Sequence, residues 1–395
     1  MSDFVTPPAA TIGIIGGGQL AMMMGEASLE LGVQVWMQTP RRTDPALQAM
    51  EARDRPPQAV LAPVNDAQAT AQLAQQCGVI TFENEFVDLP ALLRLEQSGV
   101  CFRPPLSALA LVLDKFEQRS QLAKMGLPVP KFAALTPRDR PQDLGFDYPI
   151  VIKARRHGYD GQGTHIIQTP DALALFWEQT RASDTGFMVE AFVPFERELA
   201  IIAARSLIGE VALYPLIETC QVDQICRWAM APVPLPPPVH HQANALARIL
   251  LEQMQYIGVL GLELFLTASG TLLVNEVAPR THNSGHLTIE GCVTSQFSQH
   301  LKAVSGQPLG SGDLKVPGVV MVNLLGFENQ VAHYQDKRQQ LSQYPRAHVH
   351  WYGKQESRVG RKLGHVTVVL DQGSDRSQAM ETARAIEQLW YPPAS

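Results

Sequence analysis

The apolar run Thr11–Ile15 stops at three glycines in succession, Gly16, Gly17 and Gly18, and a helical stretch follows. A second apolar run occupies residues 33–37, and shorter ones follow at 59–64, 79–82 and 100–102. Short apolar runs alternating with helical stretches constrain the fold strongly. They read as strands of a parallel, doubly wound sheet with crossover helices. Residues 1–105 are therefore expected to form an α/β domain of that kind.

The rest of the chain reads differently. Residues 106–126 are helix-like and hold Asp114 and Lys115; Pro128 and Pro130 end the stretch, since proline cannot continue a helix. Strands dominate 148–231, most clearly at 149–154, 187–192, 199–204 and 210–216. The prolines at 232, 234, 236, 237 and 238 predict a stiff loop entering a helix over 240–257, where Leu246, Leu250, Met254 and Ile257 share one face. Strands are expected at 258–266 and 271–277, joined by a turn at Ala268-Ser269-Gly270. After Gly306 and Pro308 the composition shifts, with strands near 316–325, 349–352 and 366–370 and a last helix near 377–389. The expected division is a sheet domain at 1–105, a central domain at 106–310 and a small β-rich domain at 311–395.

Composition removes several function classes. The chain is 45% hydrophobic and 18% charged, which suits a folded domain and not a disordered one. Its formal charge of −6 argues against nucleic acid as a partner. The five cysteines are scattered with no Cys-x-x-Cys pair, so neither a zinc ribbon nor a disulfide framework is signalled. The first ten residues lack the basic end and apolar stretch of a signal peptide, and no segment is apolar enough to span a bilayer. A cytoplasmic protein without a membrane partner is expected.

Five constellations carry chemistry. Gly16-x-Gly18-x-x-Ala21 fits a dinucleotide fingerprint, but the second strand ends in Gln38-Thr39-Pro40, without the acid a ribose would need. That leaves a glycine turn offering N–H groups to an anion or polar ligand, or needing glycine only for its dihedrals. Next, Lys153 precedes Arg155, Arg156 and the loop Gly158-Tyr159-Asp160-Gly161-Gln162-Gly163. Such a loop can fold over phosphates, whereas a plain hairpin does not call for three cations beside it. Third, Glu263 and Glu276 sit in apolar strands and would approach each other across a hairpin, with Asn275 adjacent. Two carboxylates and an amide oxygen suit Mg²⁺ shared with phosphates; pairing with arginines is the alternative. Asn275 and Glu276 should face opposite sides of a regular strand, so a backbone twist is needed for both to reach one ligand. Fourth, Arg280-Thr281-His282-Asn283-Ser284-Gly285-His286 is dense in polar groups. Its histidines have zinc-pair spacing, yet Pro279, Asn283, Ser284 and Gly285 disfavour the helix such a pair needs, while Arg280 suits an oxyanion. Last, Lys354, Arg358, Arg361 and Lys362 either clamp a phosphate monoester or form a solvated basic face.

Together these pieces resemble the ATP-grasp family over nearly the whole chain, and within it the ribonucleotide carboxylases, the 5-(carboxyamino)imidazole ribonucleotide synthases. The most specific stretches are the glycine loop, Asn275-Glu276-Val277-Ala278-Pro279-Arg280, His282 to His286, Trp351-Tyr352-Gly353-Lys354 and Gly360-Arg361-Lys362. The resemblance implies an ATP-grasp architecture: a doubly wound N-terminal domain, a central ATP-grasp domain and a small β-rich C-terminal domain. It implies that Lys115, Lys153, Tyr159, Asp160, Gly161, Gln162, Gly163, Glu190, Ala191, Phe192, Val193, Glu198, Gln221, Asn275 and Glu276 contact ATP. Glu263 and Glu276 would hold Mg²⁺. Gln19, Leu20, Glu83, Ser284, Lys354 and Arg361 would meet the ribonucleotide, with Glu85 beside Glu83. Arg280, His282, Asn283, Tyr159 and Asp160 would surround the reacting bicarbonate and amine. The implied activity is ATP- and bicarbonate-dependent carboxylation of aminoimidazole ribonucleotide through carboxyphosphate, by a homodimer. Departures are Met22, where arginine is usual, Gln221, where some relatives carry histidine, and Leu287, where tryptophan is common. A formate-dependent glycinamide ribonucleotide transformylase is the nearest rival, and a nicotinamide oxidoreductase a more distant one.

Overall fold

The computed structural model describes residues 11–53, 58–156, 163–180 and 186–392. Strands β1 (Thr11–Ile15), β2 (Gln34–Thr39), β3 (Ala59–Leu61) and β4 (Val79–Phe82) form a parallel sheet in the order β3-β2-β1-β4. Ile12, Ile14, Ile15, Val79, Ile80 and Phe82 are buried, so both faces of the inner strands are covered, and that is why their runs are continuously apolar. The expected run at 100–102 forms no strand, and Phe102 only bridges to Ile80. After the glycines, helix Gln19–Leu31 buries Met22, Met23 and Met24 and ends at Gly32, whose φ of 64° is left-handed.

The helix expected over 106–126 is two helices, Leu106–Ala110 and Lys115–Lys124. Asp114 causes the restart: its carboxylate accepts the N–H groups of Phe116 and Glu117 as an N-cap. Strands β5 (Phe132–Leu135), β6 (Ile150–Ala154), β7 (Thr164–Ile167) and β8 (Phe187–Ala191) make a small antiparallel sheet ordered β5-β8-β6-β7.

A larger sheet holds β9 (Phe195–Arg205), β10 (Val211–Leu213), β11 (Ile217–Val222), β12 (Ile225–Ala231), β13 (Gly258–Thr267), β14 (Leu272–Ala278), β15 (Val319–Leu325), β17 (Ala347–Trp351) and β19 (Lys362–Val369). Its order is β14-β13-β9-β11-β12-β15-β19-β17, with β10 on β9. Short strands β16 (Gln330–Val331) and β18 (Glu356–Ser357) pair separately. Because β12 pairs with β15, the longer C-terminal strands extend the central sheet. Helix Pro237–Gln253 covers β9 and β14. It starts earlier than expected, since proline is tolerated in a first turn, and stops before Gln255, whose φ is 46°, so Ile257 lies outside it. The chain passes from the small sheet to the large one at Phe192-Val193-Pro194.

Candidate active site

The hairpin of β13 and β14 sets Glu263 directly opposite Glu276. Beyond that pair the register slips: Leu264 pairs with Val274, leaving Asn275 as an extra residue on β14. This is a β-bulge, and it supplies the twist that a regular strand would lack. Asn275 Nδ2 donates to Glu263 Oε2 at 3.3 Å, and Lys153 Nζ donates to Asn275 Oδ1 at 3.4 Å. Lys115 Nζ lies 3.9 Å from Glu276 Oε2, and His282 Nε2 lies 3.3 Å from Glu263 Oε1. Among the described residues the two acids meet a lysine and a histidine, not arginines. Burial, then the charges of Glu276 and Glu198, push Glu263 up to about 7. Two carboxylates held against their mutual repulsion, with one amide oxygen, fit a hard dication that takes its other ligands from phosphates and water. No cluster of three or more His, Cys, Asp or Glu forms a complete metal cage among the described residues.

Lys153, buried near the end of β6, meets Glu190 of β8 at 2.8 Å, and Arg119 meets the same carboxylate at 2.5 Å. Burial would raise Glu190, but the charges of Lys153 and Arg119 hold it below its ordinary value. From Glu190 the strand runs into Ala191, Phe192 and Val193 at the crossing between sheets; Ala191 N donates to Lys131 O, and Phe192 is partly exposed. Glu198 of β9 is pushed up to about 7 by burial, opposed by the backbone N–H of Gln221.

The three cations beside the glycine loop do not act together. Arg155 forks onto Asp114 at 2.8 Å and Arg156 lies 3.3 Å from it, leaving Lys153 as the cation turned toward the carboxylates. Burial would raise Asp114, yet hydrogen bonds from Arg155 and the N–H of Glu117 keep it below its ordinary value. The loop closes where Ala154 N donates to Gly163 O at 2.7 Å. Tyr159, Asp160, Gly161 and Gln162 lie outside the described residues.

Residues Asn283–Leu287 form a 3₁₀ turn, not the α-helix a zinc pair would need. His282 caps it, with Nδ1 2.8 Å from Ser284 Oγ, and Gln296 pins the His282 backbone through both its N–H and C=O. Gly261 leaves room for this ring, because a Cβ there would lie 2.6 Å from His282 Cβ. Asn283 exchanges two hydrogen bonds with Asn323 of β15, at 2.9 and 2.7 Å. His286 is fully buried, which keeps its imidazole neutral. Arg280 pairs with Glu85 of the first domain at 2.9 Å.

The glycine turn has an occupant from its own chain. Glu83 accepts the N–H groups of Gly18 at 2.7 Å and Leu20 at 3.1 Å, and a Cβ at Gly18 would fall 2.4 Å from its Oε1. The anion at the helix N-terminus is thus a side chain of the chain itself, and at Gly18, whose φ is −79°, glycine is needed for this close approach rather than for its dihedrals. Lys354 Nζ donates to Gln19 Oε1 and to Lys362 O, both at 2.7 Å, joining the C-terminal region to the first domain. The basic segment divides. Exposed Arg358 pairs with Glu356, Arg361 donates to Glu356 O, and Lys362 lies close enough to Glu263 to oppose its rise.

Three family models cover the chain: a ribonucleotide synthetase preATP-grasp domain at 9–112, an ATP-grasp domain at 120–297, and a phosphoribosylaminoimidazole carboxylase C-terminal domain at 319–379. An N5-carboxyaminoimidazole ribonucleotide synthase of Synechocystis is 47% identical over 393 residues, 97% of this chain and 98% of that one. The chain belongs to the N5-carboxyaminoimidazole ribonucleotide synthase family. It is an enzyme, an ATP-grasp ligase of purine biosynthesis. An N5-carboxyaminoimidazole ribonucleotide synthetase solved as an ADP complex superposes with a TM-score of 0.88 at 31% identity, covering 98% of this chain and 99% of that one. The Aspergillus clavatus synthase, solved with ADP and 5-aminoimidazole ribonucleotide, gives 0.85 at 30%, covering 95% and 98%.

Within this synthase family the departures have clear settings. Met22 and Leu287 are buried in apolar cores, and Gln221 offers its backbone N–H to Glu198. Sequence reading missed Arg119, Gln296 and Asn323, each buried and acting on a residue that it did name. The sequence carried no local signal for Arg119, because its polar helix has no apolar face to place it inside and its burial comes from contacts with β8 and β14.

Proposed function

We propose that this synthase-family chain carboxylates 5-aminoimidazole ribonucleotide to N5-carboxyaminoimidazole ribonucleotide, using ATP and bicarbonate. The observation that carries the reading is the bulged hairpin, which gathers Glu263, Asn275, Glu276, Lys115 and Lys153 at one place. ATP would phosphorylate bicarbonate to carboxyphosphate and ADP; the ribonucleotide amine would then take the carboxyl group, releasing phosphate and a proton.

The chain's residues mainly position charge. Lys153 and Lys115 offer cations to the phosphates. Glu190, Ala191, Phe192 and Val193, at the crossing between sheets, line the base, with Glu198 and Gln221 toward the ribose. Glu263, Glu276 and Asn275 would hold Mg²⁺. When bound, Mg²⁺ would offset phosphate charge during transfer. Arg280 and His282, with Asn283 and Ser284 beneath and Tyr159 and Asp160 from the loop, would surround bicarbonate and amine. Lys354 and Arg361 would hold the 5′-phosphate, and Gln19 and Leu20, braced by Glu83, the rest of the ribonucleotide. Closure of the 158–163 loop would keep water from carboxyphosphate.

The test is ADP release with Mg-ATP, bicarbonate and 5-aminoimidazole ribonucleotide, omitting each in turn. Release that requires all of them supports the proposal. Release with formate and glycinamide ribonucleotide instead would assign the chain the chemistry of a sister ligase.

A further inference from the structure

We infer that Arg119 is a positioning residue that holds the bulge, and through it the metal-binding carboxylates, in working geometry. The inference rests on the proposal that Glu263 and Glu276 hold the metal. Arg119 lies on helix Lys115–Lys124, and its side chain is only 4% exposed. Its Nε donates to Glu190 Oε1 at 2.7 Å, its Nη1 to Val274 O at 2.6 Å and its Nη2 to Asn275 O at 2.9 Å. Strand β14 is the edge of the large sheet, so among the described residues its outward backbone groups have no neighbouring strand. In a regular strand successive carbonyls point to opposite sides. Here two successive carbonyls reach one guanidinium, an arrangement that requires the bulge at Asn275.

Next to it, Gln118 Nε2 donates to Val277 O at 3.3 Å, so the helix that presents Lys115 to Glu276 is stitched to β14 on both sides of the bulge. The same guanidinium grips Glu190, which in turn holds Lys153. Arg119 thus links the small sheet, the large sheet and the helix at the point where the cations and carboxylates face each other. Its planar fork serves the two carbonyls and the carboxylate together; the point charge of lysine would keep the Glu190 pair and lose the grip on the carbonyls.

The experiment compares wild type, Arg119→Lys and Glu276→Gln for Mn²⁺ binding to the enzyme–ADP complex by electron paramagnetic resonance, and for ADP binding without metal by equilibrium dialysis. Only folded monodisperse protein is used, and Arg119→Gln, which keeps neither the fork nor the charge beside Glu190, is read for Mn²⁺ binding alone. Arg119→Lys is expected to weaken Mn²⁺ binding about 10- to 100-fold, as loss of an outer support does. Metal-free ADP affinity should change less than about threefold, since the Glu190–Lys153 pair survives. Mn²⁺ affinity equal to wild type, or equal losses in both measurements, would overturn the role of Arg119. If Mn²⁺ binding is also indifferent to Glu276→Gln, the metal reading falls with it; if Glu276→Gln alone abolishes binding, only the Arg119 inference falls.

Discussion

The glycine turn at Gly16–Gly18 and the bulge at Asn275 both put carboxylates against backbone that has left its regular pattern. At the turn, Glu83 fills the helix N-terminus from within the chain, and both of its oxygens are taken by Gly18 and Leu20. At the bulge, Glu263 and Glu276 face each other with weaker partners, a histidine at 3.3 Å and a lysine at 3.9 Å. The first arrangement is satisfied and acts as a brace for Gln19. The second leaves two acids acting on each other, and the proposed cation site rests on that. A recognisable glycine motif therefore marks a support, while the proposed metal site falls at a hairpin without one.

Four measurements would break or sharpen that contrast. Glu276→Gln should lower ribonucleotide-dependent ADP release by about 10³-fold, on the order of 4 kcal/mol of transition-state stabilisation, with little change in unfolding midpoint. A variant with near-normal turnover would remove the functional half of the comparison. Gly18→Ala acts on the other half, because its Cβ would displace the Glu83 carboxylate. Urea unfolding should report a loss of about 2–3 kcal/mol from overpacking and unpaired N–H groups.

A smaller effect follows from Glu198 and Glu263, both raised to about 7, in each case first by burial. Between the ordinary carboxylate value and about 7 the native state keeps protons that the unfolded chain has released. Their contribution to unfolding free energy therefore falls as pH rises through that window. Glu198→Gln should flatten the metal-free stability profile between about pH 5 and 8, and an unchanged slope would mean that Glu198 is ionised in the fold. Smallest of all, Arg358→Ala should shift stability by no more than about 0.5 kcal/mol in thermal unfolding, since its pair with Glu356 is exposed.

Legibility in the sequence followed the range of the interaction. The parallel sheet was readable because doubly covered strands are apolar throughout, and the approach of Glu263 to Glu276 because both lie equally far from a local turn. The break in the helix expected over 106–126 had a local signal that went unread: Asp114-Lys115-Phe116-Glu117 has acids at the cap and three residues on, an N-terminus signature. Arg155 and Arg156 were legible as cations but not as partners of Asp114, 41 and 42 residues away.

By itself, then, the sequence determined the fold class, the hairpin that pairs the two acids and the family resemblance, because periodicity, turn chemistry and motif spacing act over a few residues. Only the tertiary structure decided that Glu83 caps the glycine turn from 65 positions away, that Lys354 reaches Gln19, and that Asn275 is the bulged residue gripped by Arg119. Those outcomes depend on strand register and on side chains meeting across separate elements, which no local pattern encodes.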